Sequence, residues 1–296
     1  MVGIIIHGGA GTITGKERRA LSAQGTDQAA EVGFSILEQG GTAVEAVKQA
    51  VMIMEDLPQF NAGYGSVITE EKTIEMDAML CDGYTGNMGG LISVSRLKNP
   101  IAVCEAVMNQ SKHLLFAGQG AEKFAQQHGY ELIDPQELVT PRVLERYDNW
   151  KKKQELDRTD PEGREKYGTV GAVAIDNNGR LAAATSTGGV LGKSVGRVGD
   201  TPIFGAGTYA DTKLAVSGTG VGEYIIQGMA ALRIRNLLDS YDLDTATTMA
   251  LDQIQQQFGP LGVICIDADG NWSADKTTKD LAYSYKTETE EGNFLP

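Results

Sequence analysis

The stretch from Glu145 to Lys166 constrains this chain more than any other. Fourteen of its twenty-two positions are Asp, Glu, Lys or Arg, and aliphatic residues nearly vanish. Such a segment has too little apolar surface to offset the entropy of ordering it, so it reads as a solvated linker, with an exposed charged helix as the alternative. Any core must therefore come from the sequence on either side. Directly after it stand Tyr167-Gly168-Thr169-Val170-Gly171-Ala172-Val173-Ala174-Ile175-Asp176, a small-residue turn running into a buried strand. A threonine thus marks the border between solvated chain and core.

The chain of 296 residues is 41% hydrophobic and 22% charged, enough for a sizeable core. Its 39 acidic and 26 basic residues give a net charge of -13, which repels phosphate backbones and anionic lipid, so neither nucleic acid nor a membrane surface is expected as a partner. The N-terminal apolar run, Ile4 to Ile6, is too short for the core of a secretory signal, and no span approaches transmembrane length. Cys81, Cys104 and Cys265 are too scattered for a disulfide framework and read as core packing, with a reducing cytoplasm as the expected compartment.

Alternation and short apolar runs predict strands at about 2–6, 73–80, 88–95, 170–176, 181–187, 202–206, 213–217, 261–266 and 281–285. Helical periodicity covers about 17–39, 42–56, 100–109, 115–128, 221–239 and 244–257, with Thr42-Ala-Val-Glu45 reading as a capping box. Asp176-Asn-Asn-Gly179 and Asp267-Ala-Asp-Gly270 are hairpin turns that join strands antiparallel. Antiparallel sheets covered by helices, a layered α+β fold, are expected.

A hydroxyl nucleophile needs a base, and the three histidines, His7, His113 and His128, all lie far upstream of the Thr-rich second half. Cleavage before Thr169 would supply one: the new α-amine, whose reference pKa is about 7.7–8.0, is partly neutral at physiological pH and sits beside the hydroxyl. Gly-Thr before a strand is common, but further motifs follow in order: Ala184-Thr-Ser-Thr-Gly-Gly189, Gly196-Arg-Val-Gly-Asp200 and Ser217-Gly-Thr-Gly-Val-Gly-Glu223.

With Ile6-His-Gly-Gly-Ala-Gly11, Phe60-Asn-Ala-Gly63 and Glu75-Met-Asp-Ala78, these motifs make the chain resemble, over nearly its whole length, the plant-type asparaginases or isoaspartyl aminopeptidases of the N-terminal-nucleophile hydrolase superfamily. The resemblance implies a four-layer αββα sandwich, a single domain cut into 1–168, carrying the charged linker at about 145–168, and 169–296. It also implies pairing of two such units.

By the same resemblance, cleavage falls between Gly168 and Thr169, Thr169 is the nucleophile, and Thr187 donates a hydrogen bond that orients it. Arg197 would clamp a substrate α-carboxylate through its planar fork and Asp200 would hold the α-ammonium beside Gly222, although a surface ion pair between Arg197 and Asp200 is the plainer reading. Thr219 and the Gly220 N–H would stabilise the oxyanion, where the plain alternative is a structural Gly-rich turn. Asn61 resembles the family asparagine that faces the nucleophile, or else caps local backbone. Main-chain carbonyls of Met54, Glu55, Leu57, Phe60, Ala62 and Tyr64 match a sodium-binding loop, and catalysis itself needs no cofactor.

Rival readings are weaker. Gly192-Lys-Ser-Val-Gly196 fits a serine-hydrolase elbow, but no histidine follows it. A nucleotide-binding module is suggested by Gly192-Lys-Ser194 and Gly218-Thr-Gly-Val-Gly222, but the first lacks its leading glycine and the second gives G-x-G-x-G. Metal catalysis lacks a histidine pair or a Cys-x-x-Cys. Within the superfamily, a glycosylasparaginase typically has Asp before the nucleophile and Asn after Thr-Ser-Thr, where this chain has Gly168 and Gly188. An endopeptidase branch is usually longer.

Overall fold

Ile4, Ile5 and Ile6 are all fully buried, which a strand achieves only when both its faces are covered. In the computed structural model, which describes residues 1–156 and 168–294, they belong to β1 (Gly3–Gly11). Their side chains alternate: Ile4 and Ile6 enter one apolar cluster and Ile5 another. On its two sides β1 pairs antiparallel with β5 (Val170–Ile175) and β11 (Asp280–Thr287). An eight-stranded sheet results. Beyond β11 lies β12 (Glu291–Asn293), and beyond β5 follow β6 (Leu181–Thr187), β2 (Met76–Asp82), β3 (Met88–Val94) and β4 (Leu115–Ala117).

The second sheet runs β10 (Trp272–Lys276), β9 (Leu261–Asp267), β8 (Leu214–Gly220) and β7 (Thr208–Ala210), all antiparallel. Ile5, Val173, Ala183, Ala215, Ile264 and Ile266 pack together between the two sheets. On the other face of the large sheet lie α1 (Lys16–Glu38) and α2 (Ala43–Asp56), which contribute Phe34, Leu37, Val47 and Val51. The other face of the small sheet is covered by α7 (Ala230–Leu237) and α8 (Leu243–Gln257), through Ile234, Leu251 and Ile254. The protein is thus a mixed α+β structure with two sheets and helices packed on them. Among the described residues, no helix is long and apolar enough to cross a membrane.

Both expected hairpins form. Gly179 (φ 71) donates its N–H to the Asp176 carbonyl at 2.9 Å, and Gly270 (φ 83) donates to Asp267 at 3.1 Å. Thr42 Oγ1 accepts the Glu45 N–H at 3.1 Å, the N-cap half of the expected box.

Four expectations need correction. No strand forms at 202–206: Pro202 and left-handed Gly205 turn the chain, Phe204 makes only an isolated bridge, and β7 follows. The helix expected at 221–239 breaks at Met229 (φ 45) into α6 (Gly222–Gly228) and α7. Residues 115–117 join β3 as a parallel edge strand before α4 (Gly118–Gln127). The charged stretch begins as α5 (Pro141–Leu156), not as linker, because buried Tyr147 and the half-buried Trp150 give it an apolar face. Its remainder, 157–167, lies outside the described residues.

Candidate active site

The β5–β6 hairpin builds the centre of the site. Its turn pairs Ile175 with Leu181, and the register runs unbroken to Val170 opposite Ser186. One further step along the same antiparallel register brings Thr169 against Thr187, and their hydroxyl oxygens are 3.1 Å apart. The direction reverses the expected one: Thr169 donates, and Thr187 Oγ1, which also accepts the Gly189 N–H at 2.9 Å, is the acceptor. A hydroxyl that donates its proton holds a more electron-rich oxygen, which suits a nucleophile.

Gly168 is buried and left-handed, at φ 115. A Cβ there would lie 2.5 Å from the Asn61 Cβ, and one on Gly9 would lie 2.8 Å from the Gly168 nitrogen. The junction is therefore wedged between two backbones, and only glycine fits. The Asn61 main-chain N–H donates to the Gly168 carbonyl at 3.2 Å. Its side chain is committed locally, with Oδ1 accepting the Val67 N–H at 2.8 Å and Nδ2 donating to the Gly189 carbonyl at 2.7 Å. Asn61 therefore caps backbone with its side chain and meets the junction with its main chain.

Beneath the junction, His7 Nε2 lies 2.8 Å from Ser217 Oγ, which is 2.7 Å from Thr185 Oγ1. Gly171 leaves room for this chain of polar groups, since a Cβ there would collide with both Ser217 and His7. Burial pushes the His7 imidazole down to about 3, against a smaller opposing pull from the Thr169 backbone, so the ring is neutral. His7, Thr185 and Ser217 all stand in the motifs read from the sequence, but nothing there joined them, since His7 and Ser217 are 210 residues apart.

Thr219, near the end of β8, accepts the Ala10 N–H at 3.2 Å. That bond brings it beside the same β1 segment whose Gly9 presses on Gly168, and leaves its own proton free to donate. Gly220 follows at φ 146. At Gly222 a Cβ would lie 2.8 Å from Arg197 Nη2 and 2.9 Å from Asp200 Oδ1, so the missing side chain is what lets the two charged groups converge there. They are not each other's ion-pair partner. Arg197 makes a bidentate bridge to Glu223, Nε to Oε1 at 2.9 Å and Nη2 to Oε2 at 2.8 Å. Asp200 is buried with Oδ2 unpartnered. Desolvation pushes its carboxyl up to about 7, its own backbone and Arg197 pulling the other way.

The Met54–Tyr64 segment curls back on itself. The Tyr64 N–H reaches the Glu55 carbonyl at 2.7 Å, and Gly63 (φ 52) presses on Glu55 so closely that a Cβ would collide with that carbonyl. Met54 and Leu57 carbonyls accept the Leu57 and Phe60 N–H groups, which leaves each a second lone pair. The loop's own N–H groups thus leave its carbonyl oxygens with unused acceptor capacity, and Gly63 keeps the space beside the Glu55 carbonyl clear of a side chain. Among the described residues, no group of three or more His, Cys, Asp or Glu side chains could hold a metal.

The sequence is similar to those of known proteins. Residues 1–295 match the family model described as Asparaginase. The chain is 41% identical over 285 residues to the isoaspartyl peptidase/L-asparaginase of Danio rerio, covering 95% of this chain and 91% of that one. It is 40% identical over 284 residues to the protein of the same name from Bos taurus, covering 95% and 92%. To the plant-type L-asparaginase of Pyrococcus furiosus it is 40% identical over 301 residues, covering 97% of each. With a match across nearly all of its length and relatives at this identity, the chain belongs to the asparaginase family.

Proposed function

We propose that this protein is a self-processing threonine amidohydrolase that hydrolyses L-asparagine to aspartate and ammonia and removes β-aspartyl residues from dipeptides. The observation that carries the reading is the Thr169–Thr187 contact of 3.1 Å directly after a glycine that only a bare backbone can replace. In maturation, Thr169 Oγ1 attacks the Gly168 carbonyl carbon while the Asn61 N–H holds its oxygen. The C–N bond breaks as the nitrogen takes the hydroxyl proton, and water cleaves the resulting ester into 1–168 and 169–296. The freed amine then serves as base: it takes the Thr169 hydroxyl proton as Oγ1 attacks the substrate amide and returns it to the leaving nitrogen.

Thr219 and the Gly220 N–H stabilise the oxyanion, and water releases aspartate. Arg197 binds the α-carboxylate once Glu223 yields it, and the unpartnered Asp200 takes the α-ammonium beside Gly222. The names of the relatives, isoaspartyl peptidase/L-asparaginase and plant-type L-asparaginase, support both substrates. A glycosylasparaginase-like reading is disfavoured by Gly168 itself, since the aspartate typical of that branch would run into Asn61.

The layering of helices, two sheets and helices supports an αββα sandwich of the N-terminal-nucleophile type, one domain despite the cut. Main-chain oxygens of Met54, Glu55, Leu57, Phe60, Ala62 and Tyr64 would hold a sodium ion, whose charge would brace the loop carrying Asn61 without taking part in the chemistry. Two processed units pair in the assembled enzyme, which works in the cytoplasm on small molecules. Intact mass spectrometry with ammonia release from asparagine and amino-acid release from β-aspartyl-leucine tests this: two fragments of 1–168 and 169–296 are expected, and full activity in an uncut chain would overturn it.

A further inference from the structure

The motif Glu75-Met-Asp77 carries charges that the proposed chemistry leaves unused. Asp77 is fully buried at the start of β2 and pairs across the sheet with Thr187, on the opposite side from Thr169. Its Oδ2 accepts the Gly199 N–H at 3.3 Å. Its Oδ1 accepts the Ser93 N–H at 2.9 Å, at a residue held left-handed (φ 50) without being glycine. The half-buried Glu75 accepts the Gly196 N–H through Oε2 at 2.8 Å.

Gly196 immediately precedes Arg197, and Gly199 immediately precedes Asp200. Each carboxylate therefore holds the N–H of the glycine that precedes one substrate-reading residue. A third charge lies beneath the same turn. Lys193 is 5% exposed and donates through Nζ to the Glu75 carbonyl at 2.7 Å. Gly189 makes space for it, since a Cβ there would lie 2.8 Å from Nζ. Burial lowers the Lys193 ammonium, while Asp77 and Glu75 oppose that shift and Arg197 adds to it, so the cation lies in the field of all three.

We propose that Glu75 and Asp77, with buried Lys193 bound to the Glu75 carbonyl beneath them, are positioning residues that set the 196–200 turn so that Arg197 and Asp200 face the substrate's charged ends. Burying Asp77 and Lys193 under a short turn is costly, and apolar packing would anchor the loop with less desolvation. What carboxylates add is direction: a charge-assisted bond to a backbone N–H fixes the plane of the peptide entering each glycine, which narrows the course of the turn into the residue that follows. The inference rests on the reading of Arg197 and Asp200 as substrate-binding groups.

Steady-state kinetics on matured Glu75→Ala, Asp77→Asn, Arg197→Ala and the double variant Glu75→Ala/Arg197→Ala test it, with the cut fraction measured on gels. Glu75→Ala and Asp77→Asn should each raise KM for asparagine about tenfold, the scale of one lost charge-assisted bond, with kcat changed by less than about twofold. Glu75→Asp should recover part of the loss. In the Arg197→Ala background the effect of Glu75→Ala on KM should shrink, because a residue acting through Arg197 has nothing left to position. If Arg197→Ala leaves KM unchanged, the substrate-binding reading falls. If Arg197→Ala raises KM while both acidic variants leave it unchanged, or lower only kcat, the positioning role is overturned and that reading stands. Should Asp77→Asn fail to fold, the half-buried Glu75 carries the test alone.

Discussion

Lowering the pH should weaken substrate capture as well as slow chemistry, and Asp200 sets the size of the loss in capture. Its carboxyl is buried with one oxygen unpartnered, and desolvation pushes it up to about 7. Only the ionised form can hold an ammonium, and that form falls from about nine-tenths at pH 8 to about one-tenth at pH 6. Once substrate is bound, its ammonium keeps Asp200 ionised, so the titration drops out of kcat and remains in kcat/KM. The Thr169 amine, which must be neutral to act as base, depresses both quantities alike. Their ratio isolates Asp200: KM for asparagine should rise about tenfold between pH 8 and pH 6. Initial-rate measurements across that range, at constant ionic strength, give the answer directly. In Asp200→Asn, KM should be high and nearly independent of pH. A flat KM from pH 8 to pH 6 in the unsubstituted enzyme would refute the assignment of Asp200 as the ammonium site.

Three further outcomes follow from the same geometry. Thr169→Ala should remain a single uncut chain that releases no ammonia, whereas Thr169→Ser, which keeps the hydroxyl and loses the methyl that limits its rotamers, should process and turn over slowly; normal splitting of Thr169→Ala on a denaturing gel would defeat the mechanism. His7, neutral in the fold at about 3 against an ordinary 6.5, contributes stability that is complete above pH 6.5 and is lost as pH falls toward 3, amounting to about 2 kcal/mol by pH 5. Urea unfolding of the protein and of His7→Gln at pH 7 and pH 5 should therefore show a smaller acid loss in the variant. Gly63→Val, a branched residue forced to φ 52 against the Glu55 carbonyl, should cost more than about 2 kcal/mol and impair maturation; a chelator of divalent metals should leave activity intact, as ammonia release would show.

Much of the fold was written locally. Nearly every long strand and helix appeared where periodicity put it, because a fully buried strand such as β5 must be apolar on both faces and a turn such as Asp176-Asn-Asn-Gly179 admits few geometries. The errors fall where a turn residue or a distant partner overrules the apolar or charged pattern. The 202–206 run is apolar in part but turned by Pro202 and Gly205, and α5 is half charged yet anchored by Tyr147 and Trp150, whose partners lie elsewhere in the chain. Met229 breaks a continuous helical pattern because a left-handed residue there lets α6 and α7 pack separately.

The candidate site divides in the same way. The Thr169–Thr187 pair was legible in principle, since the hairpin turn and an uninterrupted register place residues 18 apart against each other without any tertiary information. That the junction glycine is wedged by Gly9 and Asn61, that Arg197 is held by Glu223 while Asp200 stands alone, and that Glu75 and Asp77 grip the turn between them are facts of tertiary structure. Sequence by itself determined the chemistry available, the strands and the local register, because these depend on side-chain type and short-range backbone geometry. Which charges are paired, which are buried, and which backbone closes on the Gly168 carbonyl depend on segments distant in the chain meeting in space, and only the packed structure decides that.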